Sequence, residues 1–429
     1  MRFSNITLAY IRSTREGNQT VTRLPTFPLH PYCVAGCIPL TLYAWQAMNR
    51  TSEKRSRPRV ALVLQGGGAL GAYQAGVYQA MHEHGLTPDW VVGTSIGAIN
   101  AVLIAGNDRR TRLERLRTFW DEIAHRDLLD MRQVHDEARR FNIMLTTCDS
   151  VTKGVHGFYA PRWLSPFFGG WTVPAESASF YDTRALEDTL TRLVDLRCLN
   201  ETSGIRMTVS AIRVTCGRLE NFDTARQTVG IKHVMASGAL PPGFPPVRID
   251  GELYWDGGLY SNTPLETVLI DEPRVDTICF MVDLWSAEGP EPQSLEQVHT
   301  RQKEVMYASR SRRHIDAYLR GHKLRRMVRM LREKVPDELL DEDERREIDK
   351  VGADTTMHIV RLAYAGRDWQ MASKDINFSR GSIEWRWEQG YKDALRAIEH
   401  SAWLGDAPEG AGVLVHELSP AEIDRPATA

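Results

Sequence analysis

The chain has 429 residues, of which 42% are hydrophobic and 25% are charged, and its formal net charge at pH 7 is -2. This length exceeds what one hydrophobic core supports, so we expect one large α/β domain and a smaller unit. The balanced charge gives no indication of nucleic acid as a partner, because nucleic-acid-binding chains carry a marked basic excess.

Residues 1–57 are predicted to form an N-terminal segment outside the catalytic domain. The apolar stretch Tyr32–Met48 is shorter than the roughly 20 residues of a membrane-spanning helix, and Pro39 interrupts it. Residues 34–37 resemble a lipoprotein cleavage box, but prolines precede them where a signal peptide is apolar, so we expect no processed signal. Met48 is an alternative start.

The cysteines indicate a reducing compartment. They are few and widely separated, unlike those of a disulfide-rich secreted domain, so we expect free thiols and a cytoplasmic protein. Cys33 and Cys37 have the spacing of half a zinc site, but no second pair of ligands follows at a suitable distance. We therefore expect neither a metal nor a cofactor. The six cysteines are Cys33, Cys37, Cys148, Cys198, Cys216 and Cys279.

From Arg59 onward, strands and helices are predicted to alternate. Val60–Gln65 is an almost continuous apolar run, typical of a buried parallel strand, and Ala69–His84 has helical spacing. Asp89–Val92 predicts a second strand, and Ile96–Ala105 predicts an apolar helix. Strand, turn and helix repeated in this order predict an α/β fold with a mostly parallel sheet covered by helices on both faces.

The middle of the chain changes in character. Residues 109–140 predict a charged amphipathic helix, whereas Phe141–Tyr181 is rich in aromatic residues, proline and glycine and shows no clear period. We expect the aromatic segment to form either a lid or wall over a substrate groove, or a loop that completes the core. The α/β pattern resumes with a helix at Thr183–Val194 and strands at Arg206–Val214 and Val275–Leu284.

A helical C-terminal extension is predicted after the last of these strands. We place the catalytic domain at residues 58–286 and the charged extension at residues 287–429, with a further helix within Asn377–Ile398. One amphipathic stripe of the extension either packs on the core, which we favour, or makes peripheral contact with an anionic membrane. Its apolar members are Ile315, Tyr318, Leu319, Met327, Val328 and Leu331.

A glycine-rich motif follows the first predicted strand. Its residues are Gly66, Gly67, Gly68, Ala69, Leu70 and Gly71. Glycines at a strand–helix junction leave backbone N–H groups open to bind an anion. The spacing fits a dinucleotide fingerprint or an oxyanion hole, whereas a phosphate-binding P-loop is excluded because no Gly-Lys-Ser/Thr follows.

The second motif favours the oxyanion hole. Gly93-Thr94-Ser95-Ile96-Gly97 lies between the second strand and the next helix, which is the context of a nucleophile elbow. Gly93 and Gly97 relieve crowding beside a strained serine. A dinucleotide-binding fold would instead place an acidic residue where Gly93 stands.

The third motif is Asp256-Gly257-Gly258, with Ala236–Pro246 upstream. An aspartate before two glycines is commonly a turn residue. In combination and in this order, however, the motifs of residues 60–284 resemble those of the patatin-like phospholipase family: a glycine-rich loop, G-x-S-x-G, A-S-x-A-x-P-x-x-F-x-P and D-G-[GA]. One difference is Leu70, because family members often carry Arg or Lys there.

The resemblance implies a Ser-Asp dyad with Ser95 as nucleophile and Asp256 as base. It also implies an oxyanion hole formed by the amides of Gly66–Ala69 and a patatin-like α/β/α fold. A free aspartate is a weak base, so we expect burial to raise the pKa of Asp256. A histidine triad is the alternative, with His233 and His299 as candidates.

The implied function is a lipid acyl hydrolase that cleaves carboxylic esters of phospholipids or lysophospholipids through an acyl-serine intermediate. The expected partner is a lipid or acyl-ester substrate. Two alternatives remain: a soluble carboxylesterase or thioesterase that uses the same dyad, and a non-catalytic acyl-binding scaffold. An acyl-carrier transferase fits less well, because its nucleophile elbow typically has His beside the serine, where this chain has Thr94 and Ile96.

Overall fold

The computed structural model describes residues 57–126, 136–162, 172–308, 310–352, 355–366, 373–399 and 411–417. The predicted N-terminal segment lies outside these ranges except for its last residue, and so do Cys33 and Cys37. The same holds for four aromatic residues of the predicted lid or wall: Trp163, Phe167, Phe168 and Trp171. Within the described residues, the remaining four cysteines are free thiols.

A nine-stranded sheet forms the centre of the protein in the order β11-β10-β9-β1-β2-β5-β8-β7, with β6 on β5. The first six strands of this order pair in parallel, whereas β6, β7 and β8 pair antiparallel. The mostly parallel sheet is therefore confirmed. The strands are β1 (Arg59–Leu64), β2 (Trp90–Gly93), β3 (Ala160–Pro161), β4 (Tyr181–Asp182), β5 (Arg206–Arg213), β6 (Leu219–Asp223), β7 (Val247–Ile249), β8 (Glu252–Asp256), β9 (Thr277–Asp283), β10 (Met357–Ala363) and β11 (Val413–Glu417). Strands β3 and β4 form a separate antiparallel pair.

Helices cover both faces of the sheet. Alternate residues of β1 enter two different hydrophobic clusters, with Leu62 and Leu64 in one and Ala61 and Val63 in the other. The helices are α1 (Ala72–Glu83), α2 (Ile96–Ala105), α3 (Arg112–Glu122), α4 (Asp136–Lys153), α5 (Arg184–Leu193), α6 (Leu196–Leu199), α7 (Ile231–Ser237), α8 (Leu265–Leu269), α9 (Leu295–Tyr307), α10 (Ser311–Arg332), α11 (Glu342–Val351) and α12 (Arg380–Glu399). Short 3-10 turns lie at Gly68–Gly71, Ala175–Ser177, Gly257–Leu259 and Asp337–Leu339.

Helix α4 corrects the expectation that residues 141–181 are irregular throughout. Its inward face consists of buried Asn142, Ile143, Thr146 and Ser150, which recur at helical spacing. Three of these four side chains are polar, and the two hydroxyl groups are satisfied by backbone carbonyls one turn earlier. A search for apolar periodicity misses such a helix because its buried face is not hydrophobic.

The C-terminal region is helical as predicted, and it also extends the sheet. Strand β10 pairs in parallel with β9, and β11 pairs in parallel with β10. Polar His358 and Arg361 interrupt the apolar pattern of β10, and Arg361 forms an ion pair of 2.7 Å with buried Asp283. The region after residue 286 therefore shares the core of the α/β sheet.

Helix α10 packs on the core through its N-terminal half. Ile315 is buried in the second cluster, and Tyr318 and Leu319 pack against that cluster. Met327 and Leu331, which the sequence places on the same stripe, are instead exposed. The favoured interpretation, packing on the core, therefore holds for one half of the helix only.

Helices α1 and α12 approach each other through two glycines. A Cβ atom added at Gly76 would collide with the carbonyl oxygen of Trp387, and one added at Gly390 would collide with that of Tyr73. Because the obstacle in each case is backbone, a side chain at either position forces the helices apart.

Gly390→Ala is expected to destabilise the protein by about 1–3 kcal/mol, although alanine favours a helix over glycine. Gly321→Ala in α10 is the matched control, since its Cβ would meet only the mobile end of Arg325. The control should be neutral or stabilising by up to about 1 kcal/mol. Thermal and urea unfolding measure both variants, and equal effects at the two glycines would contradict the close helix contact.

Candidate active site

Three chain segments meet at the end of the sheet where strands β1 and β2 terminate. The glycine-rich motif follows β1, Ser95 follows β2, and Asp256 is the last residue of β8. All three segments line a single cavity of about 340 Å³. The cavity lies at the carboxyl ends of the parallel strands, where open α/β sheets bind their ligands.

Ser95 has a strained backbone. Its φ and ψ angles are 57° and -125°, a conformation that residues other than glycine rarely adopt. The backbone N–H of Ser95 donates to the carbonyl oxygen of Ser237 at 3.1 Å, which anchors the turn to α7. At this turn, a Cβ at Gly93 would collide with the carbonyl of Gly97, and one at Gly97 with that of Leu64.

Asp256 is almost completely buried, at 1% exposure, directly beside Ser95. The Gly258 amide donates to its Oδ1 at 2.7 Å, and the Ser95 side chain is near enough to affect the carboxyl group electrostatically. Burial raises the pKa of Asp256 to about 7, and the Ser95 side chain and the Gly258 amide lower it by less. The raised pKa agrees with the sequence-based expectation. Gly257 lets the chain pass close to Ser210, whose carbonyl would collide with a Cβ there.

Only part of the glycine-rich motif is free to bind an anion. The amide of Gly66 donates to Asn262 O at 3.1 Å, and that of Ala69 donates to Asp375 O at 2.8 Å. Within the described ranges, the amides of Gly67 and Gly68 have no hydrogen-bond acceptor. The predicted donor set Gly66–Ala69 therefore narrows to these two residues, because the outer amides are occupied by backbone carbonyls from distant parts of the chain.

The other positions of this motif serve packing. Gly68 has a φ of +54°, and a side chain there would collide with the carbonyl of Asp375. A Cβ at Gly71 would press on Ile96, at the start of α2. Leu70 is fully buried in the core, so it contributes neither charge nor polar contact to the cavity.

Two residues that the sequence analysis did not assign hold the glycine-rich loop. Asn262 donates to Gly66 O at 3.2 Å and to Tyr307 O at 2.9 Å, while the indole N–H of Trp285 donates to Gly66 O at 2.9 Å. Both also line the cavity. Asn262 follows the Asp-Gly-Gly motif closely, but neither residue carries a local pattern that reveals a partner about 200 positions away.

Aromatic side chains form one part of the cavity wall. Tyr159 and Tyr181 lie 4.8 Å apart between ring centroids, and Tyr159 and Phe244 lie 5.3 Å apart. Phe158 and Tyr159 are at the same time part of the main hydrophobic core. The described part of the aromatic segment therefore fulfils both expectations, since it lines the groove and completes the core.

Among the described residues that line the cavity, none is a histidine. His233 lies on α7, where its Nδ1 accepts the amide of Gly230 at 2.9 Å, and His299 lies on α9. His233 thus caps a helix, and neither candidate for a histidine triad contributes to the wall around Ser95.

Comparisons with known proteins identify the family of the chain. Residues 62–269 match a family model described as patatin-like phospholipase, and residues 305–410 match one described as patatin phospholipase. Patatin-like phospholipase domain-containing protein 7 of Rattus norvegicus and protein 6 of Homo sapiens are each 29% identical over 208 residues. That region is 48% of this chain but only 12% of each relative.

A shorter match and a solved structure complete the comparison. Lysophospholipase nte1 of Aspergillus terreus is 54% identical over 57 residues, which are 13% of this chain and 4% of that protein. The crystal structure of VipD from Legionella pneumophila aligns over 81% of this chain and 68% of its own, with 13% identity and a TM-score of 0.36. With its patatin-like domain and following patatin phospholipase region, the chain belongs to the patatin-like phospholipase family.

Proposed function

We propose that the protein is a lipid acyl hydrolase that cleaves carboxylic esters of phospholipids or lysophospholipids. The observation that carries this proposal is the buried carboxyl group of Asp256, with its raised pKa, which lies with Ser95 in the wall of one cavity. The family membership and the relatives named as phospholipase and lysophospholipase support a lipid ester as the substrate.

In the proposed acylation step, Ser95 Oγ attacks the ester carbonyl carbon while its proton moves to Asp256. A carboxylate with a pKa of about 7 is a far better base near neutral pH than one with the ordinary value near 4. The negative charge on the tetrahedral intermediate is stabilised by the amides of Gly67 and Gly68. Collapse of the intermediate expels the alcohol, which takes the proton from Asp256.

Deacylation repeats these roles with water. A water molecule attacks the acyl-serine while Asp256 accepts its proton. The carbonyl oxygen again becomes negative beside the same two amides, and its collapse releases the fatty acid. Ser95 leaves as the alkoxide and recovers a proton from Asp256, so each cycle restores the dyad.

The cavity favours an acyl chain over a polar substrate. A volume of about 340 Å³ falls in the range of small-molecule sites, and the walls are mostly aromatic and aliphatic. An ester carbonyl placed at Ser95 can therefore extend its apolar chain along Phe158, Tyr159 and Phe244. A soluble carboxylesterase with a short acyl substrate would leave this surface unfilled.

Ser95→Ala and Asp256→Asn are each expected to lower kcat on a phospholipid or lysophospholipid ester about 1,000-fold or more. Ser150→Ala is the matched control, because it makes the same substitution at a fully buried serine whose hydroxyl donates to the helix carbonyl of Thr146. A fluorophosphonate probe should label the wild type and the control but not Ser95→Ala. An unlabelled, inactive wild type would instead support the acyl-binding scaffold, and activity on short esters alone would support the soluble esterase.

The pH dependence follows from the raised pKa of Asp256. Only the unprotonated carboxylate acts as a base, so kcat/KM should fall about tenfold per pH unit below pH 7 and level off above it. Initial rates between pH 5 and 9 on a substrate without ionisable groups measure this profile. A profile that stays nearly flat down to pH 5, as an ordinary aspartate pKa near 4 would give, would show that Asp256 is not the buried base.

We also propose that the C-terminal half of α10 binds an anionic lipid surface. Leu324, Met327 and Leu331 recur at helical spacing and are exposed, with Leu324 at 60% and Leu331 at 63%. Exposed Arg320 and Lys323 lie on the same face. This face differs from the one that packs on the core, and its mixture of apolar and basic side chains suits an anionic interface.

The membrane proposal is tested by co-sedimentation with vesicles of phosphatidylcholine alone or with phosphatidylglycerol added. The double variant Leu324→Glu/Leu331→Glu should bind the anionic vesicles at least tenfold more weakly than wild type, while its kcat on a water-soluble ester stays unchanged. Leu196→Glu is the control, because Leu196 is also an exposed leucine but lies on α6. Equal binding by the double variant would refute this surface.

None of the helices in the described ranges has the length and apolar composition to span a bilayer.

A further inference from the structure

Arg386 is a fully buried arginine on α12, more than 300 positions after the glycine-rich loop in the chain. Its Nη1 donates to the carbonyl oxygen of Ala69 at 3.1 Å and to that of Asn377 at 3.0 Å. Its Nη2 donates to the carbonyl oxygen of Lys374 at 2.9 Å. One guanidinium group thus joins the glycine-rich loop to the segment 374–377.

The same segment binds the glycine-rich loop from the other side of Ala69. The Ala69 amide donates to the carbonyl oxygen of Asp375 at 2.8 Å. Both peptide groups that flank Ala69, one through its N–H and one through its C=O, are therefore held by residues 374–386. Asp375, Ile376 and Phe378 of this region also line the cavity.

The held peptides directly follow the two amides assigned to the oxyanion hole. Gly67 and Gly68 have soft backbone torsions, so a loop fixed only at Gly66 would sample several orientations of these amides. Donors stabilise a developing charge well only when they are already oriented before it forms. A fixed peptide plane at Ala69 supplies this orientation.

We infer that Arg386 is a positioning residue of the proposed active site, acting through Ala69 to orient the amides of Gly67 and Gly68 toward the ester oxygen. This inference rests on the proposed function. A buried guanidinium is stable only when its donors are bonded, and the multiple N–H donors of arginine match a set of carbonyls that a single ammonium group cannot satisfy in the same geometry.

The test uses full-length Arg386→Met and Arg386→Lys on the same lipid ester as the wild type. We expect kcat to fall at least tenfold in Arg386→Met, with KM within about threefold, because the lost interaction acts on the transition state. Arg386→Lys should retain an intermediate kcat. Reaction with a fluorophosphonate, which also develops a negative oxygen, should slow in parallel.

Tyr73→Phe separates positioning from stability. It removes a 2.8 Å hydrogen bond between Tyr73 and Asp393, across the same pair of helices, without touching the glycine-rich loop. This control should lower the thermal midpoint but leave kcat within twofold of wild type when assayed well below that midpoint. A lower kcat per folded molecule in the Arg386 variants, with the folded fraction measured by circular dichroism under the assay conditions, is what a purely structural role would not produce.

Two results would overturn the inference. One is an unchanged kcat in folded Arg386→Met, and the other is a loss of activity that only follows the folded fraction. If Arg386→Met does not fold, Arg386→Lys decides, and its failure to fold would make Arg386 a residue of stability alone. A wild type without Ser95-dependent activity would instead refute the proposed function, so the two failures are distinguishable.

Discussion

The candidate site depends on one arrangement: the carboxyl group of Asp256 is kept out of water beside the hydroxyl group of Ser95. In the proposed mechanism Asp256 is an effective base because burial raises its pKa to about 7, and burial requires the ends of β1, β2 and β8 to close around it. Side chains would block this closure. Carbonyl groups stand where a Cβ of Gly97 or Gly257 would lie, so the glycines of the motifs follow from the approach of the backbones as much as from loop flexibility.

The parts of the fold and site that sequence predicts are those with a local cause. The apolar run of β1 is continuous because both of its faces are covered, and the strained turn at Ser95 requires small neighbours at Gly93 and Gly97. Such constraints determine residue types within a few positions of the place where they act, so they are visible in the local sequence. The order of the motifs along the chain also indicates the family.

The parts that sequence does not predict depend on distant partners. Nothing near Gly66 or Ala69 shows that their amides are occupied by Asn262 and Asp375, which removes them from the expected donor set. The buried face of α4 is mostly polar, and its two hydroxyl groups bond within the helix, so a search for hydrophobic periodicity does not detect it. In both cases hydrogen bonds, rather than apolar burial, determine the outcome.

The composition suggests a boundary in the chain near residue 286, but the residues that form the site come from both sides of that boundary. The two family matches cover residues 62–269 and 305–410, and the charged sequence after residue 286 suggested a separate extension. Strand β9, which lies between the two matched regions, pairs with β1 on one side and with β10 on the other. Because one sheet joins both regions, residues 375–378 can reach the glycine-rich motif and supply a wall of the cavity. A catalytic unit cut at residue 286 would lose that wall together with the bonds that hold both sides of Ala69, so the proposed chemistry requires the C-terminal region as part of the active site.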